Sequence, residues 1–230
     1  MSRIFAVDSQ NKDRLNPDYY QYFVLSKISA YSVIIPLLVG LFKLQQMSRS
    51  EKYWLYLMGV SLLVEIAGVV LIERYANNQY IYHVYTILEF TLISLFYAGV
   101  VQSRAFSWVI RGLIFLFGGV VLFDNYFNGY TSMDNISTAT ESIVFLLYAN
   151  ILFFSLLKRP VYLNVAATPV FWLNSAVMLY FAGNLFIFIF SNYLESNSPK
   201  IFVQIWGIHS VLNIIFYLLI TIAFWKTKRQ

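Results

Sequence analysis

Apolar residues in this chain fall into long runs separated by short joins rich in Lys, Arg, Asn, Asp and Ser. Seven runs stand out, at 22–44, 53–73, 80–101, 107–126, 137–157, 170–192 and 201–225. Each is much longer than a strand. A helix rising about 1.5 Å per residue needs about 20 apolar residues to cross a hydrocarbon core of about 30 Å. In lipid, a chain that does not close into a barrel satisfies its backbone N–H and C=O groups only as helix. The pattern therefore predicts an all-α polytopic membrane protein, a seven-transmembrane-helix bundle. Pro36 in the first run predicts a kink, and Gly118-Gly119 in the fourth predicts a kink or a close helix approach.

Composition strengthens this reading. Charged residues make up 12% of the chain, against about 25% in an ordinary soluble domain, and the mean hydropathy is +0.64. Almost no chain is left for a soluble enzyme unit, so one domain is expected: a polar N-terminal segment at 1–21, the bundle at 22–225 and a basic tail at 226–230. Cysteine is absent, which removes disulfides, a thiolate nucleophile and thiolate metal sites. The polar stretch with Asp8, Lys12, Asp13, Arg14 and Asp18 is unlike a cleavable leader, and the N-terminus is expected to be retained.

Basic residues give an orientation. One side collects Lys43, Arg49, Lys52, Arg104, Arg111, Lys158, Arg159, Lys226, Lys228 and Arg229. The other holds Arg3, Lys12, Arg14, Lys27, Arg74 and Lys200, of which only Lys27, Arg74 and Lys200 are near a run. This predicts the N-terminus outside and the C-terminus inside a plasma or bacterial inner membrane. The net charge of +5 reflects that bias, so nucleic acid is not an expected partner. Trp54, Trp108, Trp172 and Trp225 fall at inner run ends, where aromatic anchors are expected.

Glutamate and histidine recur in the middle of these runs, at Glu65, Glu89, Glu141 and His209. Each costs about 2.5–3.5 kcal/mol on insertion scales, so such groups face a bundle interior, a partner or a wet cavity. All four fall at or beyond the midplane, with Tyr85 and Asn184 at the same level, which predicts a cavity opening outward. At about 100° per residue, Tyr82, Tyr85, Thr86 and Glu89 form one stripe, with His83 turned away from it. Tyr180 and Asn184 share a face, as do His209 and Asn213, and Glu141 and Tyr148. Asn150 points away from Glu141 and is expected to bridge to a neighbouring helix. Asp124 is expected to meet water at the outer margin. Isolated Asn residues such as Asn150, Asn174 and Asn184 ordinarily make interhelical hydrogen bonds.

The candidate ligand-binding set is thus Glu65, Tyr85, Glu89, Glu141, Tyr180, Asn184, His209 and Asn213. Within it, Glu65, Glu89, Glu141 and His209 have the oxygen and imidazole donors that suit a divalent metal such as Zn, Fe or Mn, although no Glu-x-x-His pair is present. The same groups suit a cationic or hydrogen-bonding small ligand, or proton exchange. Retinal is not expected, because the last run has no lysine and Lys200 and Lys226 only flank it. Seven-helix zinc hydrolases of the alkaline ceramidase or adiponectin receptor kind use three histidines, and only His83 and His209 occur here. There is no Pro-Gln pair and no convincing internal repeat to suggest a duplicated carrier.

The strings YHVYTILEFTLIS at 82–94, FWLNSAVMLYFAGNLFIFIF at 171–190 and HSVLNIIFY at 209–217 resemble an uncharacterised family of bacterial multi-pass membrane proteins. Related forms look like the membrane-sensing portions of histidine kinases. The matching residues are Tyr85, Glu89, Trp172, Tyr180, Gly183, His209 and Asn213. The resemblance implies a sensor or receptor and, since no kinase module precedes Gln230, a separate signalling protein as partner. Two other uses of the buried acids stand beside it: a proton- or cation-coupled transporter or channel, and a metal-assisted intramembrane hydrolase acting on lipid.

The charge bias yields a direct test. A C-terminal reporter fusion is expected to be active on the cytoplasmic side; activity of a reporter that works only outside would reverse the orientation.

Overall fold

The computed structural model describes residues 17–73, 79–101, 103–129, 135–158 and 165–228, and these form helices joined by short turns. The helices are α1 (Pro17–Tyr31), α2 (Ile34–Lys43), α3 (Arg49–Glu73), α4 (Gln79–Val100), α5 (Arg104–Asn128), α6 (Asn135–Leu157), α7 (Pro169–Asn197) and α8 (Pro199–Lys226). They make seven segments long and apolar enough to cross a membrane, with α1 and α2 sharing the first. Each expected run has its counterpart. The chain is a multi-pass membrane protein. Residues 1–16 of the polar N-terminal segment, with Arg74, Arg159 and Arg229, lie outside the described residues.

Successive helices pack side by side, and α8 closes the ring by lying against α7 on one flank and α1 and α2 on the other. Helix α4 also reaches across to α6. The interior is aromatic. Phe90 stacks on Phe117 at 3.9 Å and on Phe145 at 5.3 Å, joining α4 to α5 and α6. Trp54 of α3 meets Phe96 of α4 at 5.6 Å and Phe216 of α8 at 5.9 Å. At these spacings offset and edge contacts are favourable. One polar node pins three helices: Tyr97 donates to Asn174 Oδ1 at 2.8 Å, and Asn174 Nδ2 donates to the Ala149 carbonyl at 3.0 Å.

Near Pro36 the α-helix is interrupted, one turn before the proline at Ser32 and Val33. Pro36 has no N–H for the Ser32 carbonyl, and the Ile35 N–H takes that carbonyl instead at 3.2 Å. The helix therefore breaks at Ser32 and Val33, before the proline. The expectation for Gly118-Gly119 fails. Helix α5 is continuous there, and a Cβ on either glycine would meet nothing within 4 Å. Close approach occurs elsewhere. A Cβ on Gly40 would come within 2.6 Å of Leu55 and 2.9 Å of Phe224, and one on Gly183 within 2.7 Å of Leu212.

Three further expectations are corrected. Asp124 does not meet water: it is 1% exposed and accepts from both the N–H and the hydroxyl of Ser137 at 2.8 Å. First-turn N–H groups lack intrahelical acceptors, and a carboxylate at that end is favoured by the helix dipole. Asn150 makes no bridge; it is exposed, and its amide donates to Leu146 of its own helix at 2.7 Å. Trp54 is 1% exposed and belongs to the core rather than the interface. Trp108 and Trp225, by contrast, are 70% and 67% exposed. Arg111 lies over the Trp108 ring, Lys43 over Trp225 and Lys226 over Trp172, at 5.3, 5.6 and 5.7 Å. All three pairs sit at the end of the bundle where α8 finishes.

The two kinds of glycine should behave differently. Gly40→Val should cost about 1–3 kcal/mol by overpacking, whereas Gly119→Ala should change stability by less than about 1 kcal/mol. Thermal unfolding of the solubilised protein checks this; equal losses would contradict the packing.

Candidate functional site

The polar interior grows from one face of α4. Tyr85, Thr86 and Glu89 recur at helical spacing, so one face carries them all inward. The Tyr85 hydroxyl donates to Glu89 Oε1 at 3.1 Å. Ser61 of α3 lies 3.1 Å from the same hydroxyl, and its own hydroxyl also reaches the Leu57 carbonyl at 2.9 Å. On α8, Tyr217 adjoins the side chains of Asn213 and Ser61. Asn213 in turn donates to Ser29 Oγ of α1 at 3.0 Å. A continuous polar chain thus links α4, α3, α8 and α1.

Tyr180 of α7 faces this chain from the opposite wall. It lies within electrostatic reach of Glu89 first, then of Tyr217, Glu141 and Glu65. Its ring packs on Phe216 at 4.6 Å. Carboxylates on three helices therefore act electrostatically on one phenol. Their settings differ. Glu89 and Glu141 are buried, while Glu65 is half-buried with Lys27 of α1 as the cation acting on it and Tyr82 beside it.

His209 forms a separate group. Its Nδ1 lies 2.9 Å from Asn184 Oδ1, and Asn184 Nδ2 donates to the Tyr180 carbonyl at 2.9 Å. With an amide oxygen as acceptor, the hydrogen of that contact resides on Nδ1. The imidazole is boxed by Trp206 at 4.7 Å and by Tyr180 and Phe188, each at 5.9 Å. Tyr180 is common to both groups, its ring 5.9 Å from the imidazole and its hydroxyl within electrostatic reach of the acids.

Of the eight expected ligand-binding residues, Tyr85 and Glu89 are joined directly, as are Asn184 and His209. Asn213 enters through Tyr217, and Glu65 and Glu141 share Tyr180 with Glu89. The imidazole and the carboxylates do not converge. Among the described residues no group of three His, Asp or Glu side chains is arranged to hold a metal ion, so the expected set of Glu65, Glu89, Glu141 and His209 is not assembled. The imidazole instead has Asn184 as its partner and is packed among Trp206, Tyr180 and Phe188. His83, expected to be the weaker histidine, is buried on α4.

Sequence reasoning missed Ser61, Tyr217 and Ser29. Two carried a readable signal: Ser61 precedes Glu65 by one turn, and Tyr217 follows Asn213 by one turn, so each shares a face with a residue already chosen. Ser29 had none, since its role depends on how α1 meets α8.

No protein-family model, curated protein or solved structure matches the chain.

Tyr85 has one hydroxyl hydrogen, and this gives the chain a direction. With Glu89 ionised, Ser61 donates to Tyr85 and Tyr85 donates to Glu89. With Glu89 protonated, the carboxylic acid donates to Tyr85, Tyr85 to Ser61, and Ser61 to the Leu57 carbonyl. Each hydroxyl keeps a donor and an acceptor role in both arrangements, so the charge state of one acid sets the polarity of a row of hydrogen bonds between two helices.

The separation into two groups can be measured. A double-mutant cycle between His209→Ala and Asn184→Ala should give a coupling of about 0.5–1.5 kcal/mol. The cycle between His209→Ala and Glu89→Gln should give less than about 0.5 kcal/mol. A larger second coupling would show that the histidine and the acid act together.

Proposed function

We propose that this chain is a receptor- or sensor-like membrane protein that binds a small cationic or hydrogen-bonding ligand at the Glu89, Tyr85 and Tyr180 cluster. The observation carrying this reading is the row of contacts from Ser61 through Tyr85 to Glu89, which joins α3 to α4 and whose hydroxyls can reverse their donor and acceptor roles. A ligand that donates to Glu89, or brings positive charge to it, favours one arrangement. Its differential affinity for the two sets the size of the response. Glu65 and Glu141 around Tyr180 favour a cation or a donor-rich molecule over an anion. The resemblance to membrane-sensing portions of histidine kinases supports the same use, with a separate signalling protein receiving the helix movement. The orientation and the bacterial inner membrane inferred from the basic joins belong to this proposal.

One observation favours a second reading, a proton- or cation-coupled transporter. The first span breaks at Ser32 and Val33, next to Ser29, which takes part in the polar chain through Asn213. Interrupted helices beside buried polar groups are a recurring feature of transport sites. A metal-assisted hydrolase draws no support from the geometry of the described residues, because no three ligands converge.

The two readings separate in one experiment. In nanodiscs, a panel of small amines and polyhydroxylated compounds should include members that raise the unfolding temperature of the wild-type protein, with the rise lost in Glu89→Gln and reduced in Tyr85→Phe. In proteoliposomes, neither variant nor wild type should carry protons or sodium. Flux that depends on Glu89, without ligand stabilisation, would replace the sensor by the transporter.

A further inference from the structure

A second feature lies at the end of the bundle where α4 gives way to α5. Ser107 of α5 donates to the Ala98 carbonyl of α4 at 3.0 Å, which draws the start of α5 against the end of α4. Ser103 caps α5 by accepting the Phe106 N–H at 3.3 Å. Between the two helices lies an open cleft of about 460 Å³ whose walls include Gly99, Ser103, Arg104, Ser107, Trp108 and Arg111.

The wall residues on α5 follow helical spacing. Arg104, Trp108 and Arg111 are separated by four and three positions and so share one face. Arg111 is held over the Trp108 ring at 5.3 Å. Both guanidiniums are exposed, and among the described residues neither is paired with a carboxylate. A guanidinium presents a planar fork of donors matched to phosphate oxygens. The positive end of the α5 dipole lies at the same place.

The level of the cleft identifies the source of the phosphate. Exposed Trp108 and Trp225, with Lys43, Lys226 and Arg111 over aromatic rings, mark this end as the interfacial zone, where lipid headgroups sit. Below it, Val109, Phe115 and Leu116 are exposed on α5, and Gly112 and Gly119 leave open space on the helix surface. That surface gives an acyl chain an apolar track leading away from the cleft. We propose that this cleft is a binding site for an anionic phospholipid, with its phosphate between Arg104 and Arg111 and its chains along α5. The site is independent of the buried acid cluster.

Native mass spectrometry of the full chain in detergent tests it with short-chain phosphatidylglycerol, phosphatidylcholine of equal chain length, and inorganic phosphate. Wild type should retain phosphatidylglycerol about tenfold better than phosphatidylcholine, and Arg104→Gln/Arg111→Gln should lose that preference. The charge-matched control Lys158→Gln/Lys228→Gln, at the same end but outside the cleft, should keep it. Unfolding temperatures of both variants verify that they fold. Equal lipid retention in the two double variants would overturn the site. Inorganic phosphate binding as tightly as the lipid would overturn the lipid and leave a free-anion site.

Discussion

Hydrocarbon does not complete an unfinished hydrogen bond, and this constraint organises the whole molecule. Each polar side chain placed at membrane depth needs a partner within the protein or a path to the interface. The bundle answers in three ways. Asn174 is used fully, taking the Tyr97 hydroxyl and giving to the Ala149 carbonyl, and so locks α4, α6 and α7. Serines and threonines such as Ser142, Ser175 and Thr221 return to carbonyls of their own helices. A third group, Glu89 with Tyr85 and Ser61, joins its members both within α4 and across to α3.

That third group explains why the interior divides into stiff and adaptable parts. The aromatic packing of Phe90, Phe117 and Phe145 has close stacking with little room for rearrangement. The polar chain is different in kind, because hydroxyl groups can exchange donor and acceptor roles without moving heavy atoms. A row whose hydroxyls can exchange roles beside a closely packed frame is the kind of element on which a small stimulus can act.

Much of this was legible in the residues. The run lengths showed the seven spans because bilayer thickness acts on each helix alone, with no need to know its neighbours. Helical phase correctly put Tyr85 beside Glu89 for the same reason: the two lie on one helix. What failed concerned relations between helices. Nothing in the letters pairs His209 with Asn184 among three aromatic rings, and a count of donors at one depth therefore overestimated how many would meet. Trp54 and Asn150 were misjudged in opposite directions, since position along a span fixes depth but not which way the side chain faces once the ring closes.

The capping of α6 by Asp124 bears on how the protein is built. Acceptor and donor are 13 residues apart, so the contact closes a short loop at small entropic cost. It requires only α5 and α6, and neither needs the later helices to form it. The pair can enter the bilayer as a preassembled hairpin during synthesis, its register already set. Helix α8, by contrast, packs on α1 and α2 from the other end of the sequence, a contact that closes a much longer loop.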